Sequence, residues 1–316
     1  MLTGKVLRST GSWYEVIDED NACTISCRIV GKLKLDRENL TNPVAVGDRV
    51  HYQLDTGGTG SITGVLPRKN YIARQSPKSR VHLQLIACNI DQAVLVTSIC
   101  DPPLKPGFID RFLLTTEPQN IPALVVFNKW DLYGEEDRAL FEQYRKVYEG
   151  IGYGVFGVAA QTGFRIDELR SALQNKTNLF SGQSGVGKST LINCLEPGTG
   201  LRTGELSSYT GKGTHTTTFA QMFAMSNGGF IIDTPGIKTL AFNNLEVMDV
   251  AHNFREFFRA SVNCRFGSQC THRDEPDCAV KEGLANGSIS EIRYRNYLQI
   301  LSEIESQNYW ERNKKY

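Results

Sequence analysis

The order of apolar and polar positions divides the chain into three segments with different patterns. In the first seventy residues, short strand-like runs are separated by turn residues such as Gly11 and the pair Gly57-Gly58. Five such runs at this spacing predict a small antiparallel barrel of the OB type, an architecture that often presents a face to oligonucleotides. The runs cover residues 5–9, 13–17, 23–30, 49–54 and 61–66.

From about Leu83 onward, apolar strands alternate with amphipathic helices, a pattern that predicts a mostly parallel sheet. Residues 93–99 and 122–127 are near-continuous apolar runs of the length of buried strands, and residues 137–150 carry apolar side chains at helical spacing. The same reasoning predicts strands at 153–159, 178–180, 219–223 and 229–233, and helices at 166–174 and 188–195.

The third segment begins with a helix-like stretch and ends in a polar tail that is also predicted to be helical. A cysteine-rich stretch lies between them. We therefore predict three domains, namely an OB-like β-barrel at residues 1–70, an α/β domain at 71–240 and a small α-rich domain at 241–316. The helix-like stretch is predicted to place one apolar face inward, formed by Leu245, Met248, Ala251, Phe254 and Phe258.

The net charge and the start of the chain limit the classes of partner and the cellular location that we expect. The formal net charge is +1, so any affinity for nucleic acid must come from a local patch. One candidate patch is the acid-free strip between Arg68 and Arg80, which fits either a phosphate-contacting surface or a solvated linker.

The start of the chain has no apolar segment behind a basic stretch, and no later run reaches the length of a membrane span. We expect a cytoplasmic protein that does not bind membranes.

The eight cysteines do not form the dense framework of a small disulfide-rich protein. Three of them lie near a histidine in the third segment, which favours a metal site over disulfide bridges. The other five are scattered along the chain, and we interpret them as small apolar residues that fill space, namely Cys23, Cys27, Cys88, Cys100 and Cys194.

A phosphate-binding loop follows the predicted strand at residues 178–180. Its glycines allow backbone N–H groups to approach a phosphate chain closely, and the following helix adds the attraction of its dipole. Lys188 can then reach the β- and γ-phosphates, while Ser189 places its hydroxyl on Mg²⁺. The loop reads Gly182-Gln183-Ser184-Gly185-Val186-Gly187-Lys188-Ser189 and continues with Thr190.

A guanine-reading motif follows the apolar run at residues 122–127, where open α/β sheets bind ligands. The carboxylate of Asp131 can accept hydrogen bonds from guanine N1–H and N2–H₂, which adenine does not offer. With adenine this carboxylate would lose its partners, so the motif selects GTP over ATP. The motif is Asn128-Lys129-Trp130-Asp131.

A third motif, Asp233-Thr234-Pro235-Gly236, follows the apolar strand at residues 229–233. Asp233 can hold a water of the Mg²⁺ shell, and the Gly236 N–H can contact the γ-phosphate. Ile237 then stands where Ras-like enzymes have the glutamine that orients the attacking water.

A polar switch segment at residues 211–218 precedes the third motif. Thr217 is our choice for the hydroxyl that binds Mg²⁺, and Thr216 is the alternative. His215 either takes the role of the missing glutamine or is an ordinary surface residue.

These motifs stand in an unusual order, because the guanine motif precedes the phosphate loop instead of following the third motif. The sequence therefore predicts a GTPase fold that has been cut at a different loop and rejoined, which is a circular permutation.

Cys264, Cys270, His272 and Cys278 are separated by five, one and five residues. Three thiolates and one imidazole form a complete tetrahedral ligand set, which is typical of a structural zinc site. Because the flanking residues are polar, we expect that this stretch has no apolar core and that zinc replaces one.

The permuted motifs, the preceding barrel and the cysteine spacing together resemble the RsgA (YjeQ/YloQ) family of small-ribosomal-subunit-dependent GTPases. The resemblance implies a GTP hydrolase that binds the small subunit and its rRNA, is stimulated by it, and assists its late maturation. It also implies a guanine site at Asn128 to Asp131, a phosphate loop at Gly182 to Thr190 and one zinc ion. The family's Ser-Ala pair behind the guanine base is Ala159-Ala160 here, where a main-chain N–H would make the contact.

One residue departs from the family's switch pattern, since Thr214 stands where the family usually has arginine before the histidine. Two other functions compete with a monomeric ribosome-associated GTPase. The first is an RNA-binding regulator in which GTP is only a structural ligand. The second is a small-molecule P-loop kinase, against which the guanine motif argues.

Overall fold

Five strands at the N-terminus close into a barrel. The computed structural model describes residues 1–31, 42–76, 79–202, 220–234 and 245–313. The strands pair in the order β1-β2-β3-β5-β4, and β4 returns to pair with β1, which confirms the predicted OB-like barrel. Among the described strand pairs of the barrel, β3 and β5 run parallel and the others antiparallel. The strands are β1 (Leu2–Ser9), β2 (Tyr14–Asp18), β3 (Thr24–Ile29), β4 (Arg49–Leu54) and β5 (Gly60–Val65).

A β-hairpin formed by β6 (Tyr71–Ser76) and β7 (Ser79–Cys88) follows the barrel and packs against it. Val46 and Ala87 form a parallel bridge, and the Asn42 side chain hydrogen-bonds the backbone of Leu85. The sequence pattern assigned this hairpin to the α/β domain at 71–240. Ile72 and Ala87 do share the apolar cluster of the central sheet, and the contacts above also join the hairpin to the barrel segment at residues 42–47.

The basic strip that starts at Arg68 is partly neutralised by nearby carboxylates. Arg68 forms a bidentate ion pair with the buried Asp48, with a closest approach of 2.7 Å, and Lys69 contacts Asp91 at 3.1 Å. Arg74 donates hydrogen bonds to Gln84. The phosphate-contacting interpretation is therefore wrong for Arg68, whose guanidinium anchors the turn before β4.

A six-stranded sheet forms the centre of the molecule, in the order β10-β9-β8-β11-β13-β12. All neighbours run parallel except β12 and β13, which confirms the predicted α/β class. Every residue of β8 is buried because helices and loops cover both faces of the sheet. The strands are β8 (Gln92–Thr97), β9 (Ala123–Phe127), β10 (Gly154–Gly157), β11 (Lys176–Gly182), β12 (Gln221–Ala224) and β13 (Gly229–Asp233).

Among the described residues, four helices connect these strands. Three of them lie where the sequence pattern predicted helices, whereas the first, which follows Pro102, Pro103 and Pro106, was not predicted. The helices are α1 (Phe108–Thr116), α2 (Glu135–Gly150), α3 (Ile166–Leu173) and α4 (Lys188–Leu195).

The barrel and the central sheet share a hydrogen-bonded edge. Strand β1 pairs with β12 at Arg8 and Gln221, and the Lys5 ammonium lies 4.4 Å from the centre of the Phe230 ring. The barrel is therefore attached beside β13, the strand that leads into the third nucleotide motif.

The C-terminal domain contains α5 (Val247–Asn253), α6 (Arg255–Ser261), α7 (Ala279–Asn286) and α8 (Glu291–Asn313). The single apolar face predicted from Leu245 to Phe258 is wrong at its end. Phe254 has an extended backbone that separates α5 from α6, so Phe257 is buried while Phe258 is 48% exposed. Among the described residues, no helix is long and apolar enough to cross a membrane.

A buried ion-pair network docks the C-terminal domain onto α1. The carboxylate of Asp110 accepts hydrogen bonds from Tyr148, Arg293 and Asn296. Arg293 also contacts Glu256 at 2.7 Å, and both Arg293 and Asp110 are inaccessible to solvent. Two flanking ion pairs, Arg255 with Glu117 and Arg111 with Glu303, extend the interface.

We predict that Asp110→Ala lowers the free energy of unfolding by about 3 to 5 kcal/mol, the usual cost of breaking a buried ion pair. The variant would leave the Arg293 guanidinium buried with only Glu256 as a charge partner. Urea unfolding measures the change. Glu168→Ala, which removes an exposed pair with Arg165, is the control and should cost far less. Equal losses in both variants would contradict the proposed importance of the network.

Candidate nucleotide-binding and metal sites

The three nucleotide motifs meet at one edge of the central sheet. Parallel strands place their carboxyl ends together, so the loops after β9, β11 and β13 are neighbours although they are far apart in the sequence. The guanine motif follows β9, the phosphate loop joins β11 to α4, and Asp233 ends β13. The permuted chain order therefore produces one compact site.

The buried carboxamide of Asn128 holds three loops in place. Its Nδ2 donates to the backbone oxygen of Val186 at 2.9 Å, and its Oδ1 accepts from the Ala160 N–H at 3.1 Å. The Asn128 backbone N–H donates to the oxygen of Thr97 at 2.8 Å, which extends the pairing of β8 with β9. Asn128 thus fixes the phosphate loop relative to the guanine motif.

The phosphate loop requires glycine where it passes Asn128. Gly187 has a left-handed backbone with φ of 83°, and a Cβ there would lie 2.5 Å from Asn128 Nδ2. Gly185 is also left-handed, while the Val186 side chain between them is buried and anchors the loop to the core. Gln183, Ser184, Ser189 and Thr190 remain at least partly accessible around this loop.

Lys188 and Asp233 form a buried ion pair at the end of β11 and β13. Thr234 supports this position, because its hydroxyl donates to the oxygen of Phe180 at 2.7 Å. The Lys188 ammonium, which can bind phosphate groups, thus contacts the Asp233 carboxylate, which can hold a metal-bound water. The donor set fits a nucleotide with Mg²⁺, since hard cations prefer carboxylate and hydroxyl oxygens.

The guanine motif divides its side chains between the core and the solvent. Asp131 is exposed to solvent. The Trp130 ring packs against Phe141 and stacks on Phe164, with centroids 4.9 and 5.9 Å apart. Lys129 contacts Asp101 at 2.6 Å. The side chain of Trp130 therefore stabilises the loop that presents Asp131.

Four potential metal ligands converge in the C-terminal domain. The Sγ atoms of Cys264, Cys270 and Cys278 and a ring nitrogen of His272 all lie within 4.8 Å of one another. Nδ1 of His272 is 3.7 Å from Cys264 Sγ and 3.5 Å from Cys278 Sγ, and those two sulfurs are 4.0 Å apart. A tetrahedral zinc site needs Sγ–N distances of about 3.6 Å and Sγ–Sγ distances of about 3.8 Å, so the cluster fits zinc.

Comparison with known families agrees with this arrangement. Residues 65–243 match the model of the RsgA GTPase, and residues 3–62 match the RsgA N-terminal domain. The chain belongs to the RsgA GTPase family.

Relatives and solved structures cover almost the whole length. The small ribosomal subunit biogenesis GTPase RsgA 2 of Bacteroides thetaiotaomicron is 44% identical over 98% of this chain and 99% of its own. The RsgA protein of Flavobacterium psychrophilum is 45% identical over 95% and 92%.

Two crystal structures are also similar. YjeQ from Thermotoga maritima has a TM-score of 0.79 at 35% identity, covering 96% of this chain and 98% of its own. YloQ, described as a circularly permuted GTPase, has a TM-score of 0.75 at 29% identity, covering 97% and 96%.

The Ala159-Ala160 pair of this RsgA-family chain has its main-chain donors engaged. Ala159 N–H donates to the oxygen of Phe164 at 3.2 Å, and Ala160 N–H donates to Asn128. To contact a guanine base, as the resemblance implies, either N–H would have to share or give up its present partner. That contact stays a prediction.

Several residues assigned from the sequence lie outside the described part of the structure. They are His215, Thr216, Thr217 and Gly236. Their roles as water-positioning, Mg²⁺-binding and γ-phosphate-sensing groups stay predictions.

Two residues of the site were missed by the sequence reasoning. Tyr133 accepts a hydrogen bond from the Ile99 N–H at 2.8 Å and donates one to the oxygen of Asn128 at 3.0 Å. Asp101 pairs with Lys129 from the loop after β8. Neither belongs to a recognisable motif, so no local signal could have identified them.

The expectation that the cysteine cluster has no apolar core is wrong. Cys264, Cys270 and Cys278 are buried in an apolar cluster with Phe257 and Tyr297. The polar neighbours in the sequence were misleading because the covering side chains come from α6 and α8. Of the scattered cysteines, Cys27 and Cys88 are buried as expected, whereas Cys23 is exposed and fills no core position.

Side chains around the cluster hold its backbone. Tyr297 donates to the oxygen of Thr271 at 2.7 Å, and Tyr294 donates to the oxygen of His272 at 2.9 Å. Burial raises the pKa of Glu275, but hydrogen bonds from Thr271 and Arg273 outweigh it and lower the pKa to about 2. Glu275 therefore stays ionised and fixes the turn that carries His272.

Burial also sets the protonation of the metal ligands. It lowers the pKa of His272, which keeps the imidazole neutral and able to bind a metal. It raises the pKa of Cys270 to about 12, so that thiol holds its proton at neutral pH until a metal replaces it.

We predict one zinc ion per chain in purified protein, and loss of that zinc in Cys270→Ser. If the free zinc concentration is about 1,000 times Kd, binding stabilises the folded domain by about 4 kcal/mol, so the variant should unfold at lower temperature. Elemental analysis and calorimetry measure both effects. Cys194→Ser, which changes a half-buried cysteine outside the cluster, is the control and should keep its zinc. A metal-free wild-type protein with a folded C-terminal domain would contradict the assignment.

Proposed function

We propose that this RsgA-family GTPase binds the small ribosomal subunit and assists a late step of its maturation, hydrolysing GTP to GDP and phosphate. The observation that carries the GTPase activity is the convergence of the guanine motif, the phosphate loop and Asp233 on one edge of the sheet. The relatives are named small ribosomal subunit biogenesis GTPases, and this supports the small subunit as the partner.

The roles proposed for the site residues follow from the motifs that they form. The phosphate loop from Gly182 to Thr190 surrounds the triphosphate, with backbone N–H groups and the Lys188 ammonium as donors. Ser189, Asp233 and Thr217 supply the oxygen environment for Mg²⁺, which neutralises charge on the β- and γ-phosphates when it is bound.

Because Ile237 stands where Ras-like enzymes have the glutamine that orients the attacking water, another group must position that water. His215 is the proposed group because it precedes Thr217 by two residues in the sequence of the switch segment, and an imidazole can accept a hydrogen bond from water at neutral pH. Gly236 is proposed to sense the γ-phosphate through its backbone N–H.

The attachment of the two outer domains supports a nucleotide-dependent grip on RNA. The barrel joins the sheet at β12, whereas the C-terminal domain contacts α1 and the oxygen of Gly152 before β10, near the opposite edge. A buried ion-pair network holds the C-terminal domain, whereas the barrel meets the sheet through β1 and β12, the Lys5 ammonium over Phe230 and apolar contacts. Because these barrel contacts lie beside β13, which leads into the third motif, we propose that the barrel is the domain that moves when the γ-phosphate leaves.

We predict that Asp131→Asn weakens GTP binding about 10- to 100-fold, because a lost hydrogen-bonded charge costs roughly 1 to 3 kcal/mol. The variant should instead prefer xanthosine triphosphate, whose donor and acceptor pattern is inverted at the position that Asp131 reads. Competition with a fluorescent nucleotide measures both affinities. Asp167→Asn changes another exposed carboxylate, on α3, and is the control. Unchanged preference for GTP would show that Asp131 does not read the base.

We predict at least about tenfold tighter binding to small subunits with a non-hydrolysable GTP analogue than with GDP, equivalent to about 1.4 kcal/mol of coupling. Co-sedimentation measures this ratio. By thermodynamic linkage, the subunit must raise the protein's affinity for the analogue, relative to its affinity for GDP, by the same factor. Equal affinity in both nucleotide states would contradict the coupling. Failure of subunits to stimulate turnover would instead favour an RNA-binding regulator that holds GTP as a structural ligand.

A further inference from the structure

A carboxylate outside the nucleotide motifs fixes the lysine of the guanine motif. Asp101 Oδ2 lies 2.6 Å from Lys129 Nζ. The Lys129 side chain is only 20% exposed, whereas Asp101 is 55% exposed. The lysine stem is therefore largely covered by protein, and its charged end meets Asp101 near the surface.

The loop that carries Asp101 is well organised. The Asp101 N–H donates to Ser98 Oγ at 3.3 Å, and the Leu104 N–H donates to the oxygen of Ile99 at 3.1 Å. Cys100 and Pro103 form an antiparallel bridge within the same loop. Backbone contacts thus set the position of the Asp101 carboxylate.

This loop is also tied to the guanine motif by Tyr133. The tyrosine hydroxyl accepts from the Ile99 N–H and donates to the oxygen of Asn128. Asp101 and Lys129 are consequently held by one hydrogen-bonded unit.

The stem of Lys129 lies along the phosphate loop. Lys129 has a left-handed backbone with φ of 67°. A Cβ on Gly187 would lie 3.9 Å from Lys129 Cε and closer still to Asn128. The stem therefore passes the last glycine of the phosphate loop.

We propose that Asp101 is a positioning residue for nucleotide binding, which holds the Lys129 stem as a preformed wall of the guanine pocket. A free lysine side chain has many rotamers, and fixing it before the ligand arrives lowers the entropic cost of binding. The inference rests on the proposed function, because it assumes that a guanine nucleotide occupies this site. GTP and GDP share the base and the ribose, so the fixed lysine raises the affinity for both nucleotides equally.

The test is a double-mutant cycle of Asp101→Asn and Lys129→Met, read by the Kd of fluorescent GDP and of a fluorescent non-hydrolysable GTP analogue. Asp101→Asn should weaken both about 2- to 5-fold, as expected for a partly exposed ion pair. In the Lys129→Met background the same change should have no further effect. Steady-state turnover should show a raised KM with unchanged kcat.

Two further measurements separate positioning from a purely structural effect. Asp101→Glu should restore part of the affinity because it returns the charge. The difference between wild type and Asp101→Asn should shrink in about 1 M salt, where the Debye length falls to about 3 Å. The matched control is Asp91→Asn, which removes another lysine–aspartate pair at the opposite end of β8 and should leave nucleotide affinity unchanged.

Three outcomes would overturn the inference. They are tighter nucleotide binding in Asp101→Asn, an undiminished effect of that change in the Lys129→Met background, and equal losses in Asp91→Asn. If the wild-type protein showed no preference for guanine over adenine nucleotides, the proposed function would fail as well. A guanine-specific wild type with an additive cycle would overturn this inference alone.

Discussion

The nucleotide site depends on the buried carboxamide of Asn128. One side chain satisfies the Val186 oxygen and the Ala160 N–H, and its own backbone pairs with Thr97. Ala160 and Val186 lie 32 and 58 residues from Asn128 in the sequence. These hydrogen bonds, and not proximity along the chain, therefore hold the site together. Buried polar groups of this kind must be fully paired, and a displaced loop would leave them unsatisfied at considerable cost.

This constraint explains why the chain order of the motifs can change without loss of the site. Parallel strands bring their carboxyl ends to one edge whatever loop joins them, because the sheet order alone decides which ends are neighbours. The permutation instead changes what is attached to the domain. The barrel enters beside β12 and β13, and the C-terminal domain rests on α1 through the pair of Asp110 and Arg293. The nucleotide site thus lies in a domain held at both edges.

The sequence presented zinc and an apolar core as alternative ways to stabilise the C-terminal domain. The structure has an apolar core there together with a ligand set that fits zinc. Its ligand cluster has the spacing of a zinc site, yet the thiols also pack among Phe254, Phe257 and Tyr297. Burial disfavours the charged thiolate, and a bound metal would oppose this by exchanging for the proton. A metal would therefore stabilise the same turn as the aromatic packing, a turn that Glu275 and two tyrosine hydroxyls hold in position.

Local patterns were enough to predict the barrel, the α/β class, the permuted motif order and the four-ligand cluster, because each depends on local periodicity or on fixed spacing of reactive residues. Strand β13 and helix α4 were even predicted with their observed bounds. Which polar residues meet could be seen only in the folded structure. Asp101 and Lys129 are 28 residues apart, and Asp110 and Arg293 are 183 apart. No local pattern encodes such pairs, since burial and contact arise when distant elements pack. For the same reason, the core around the cysteines could not be recognised from their polar neighbours.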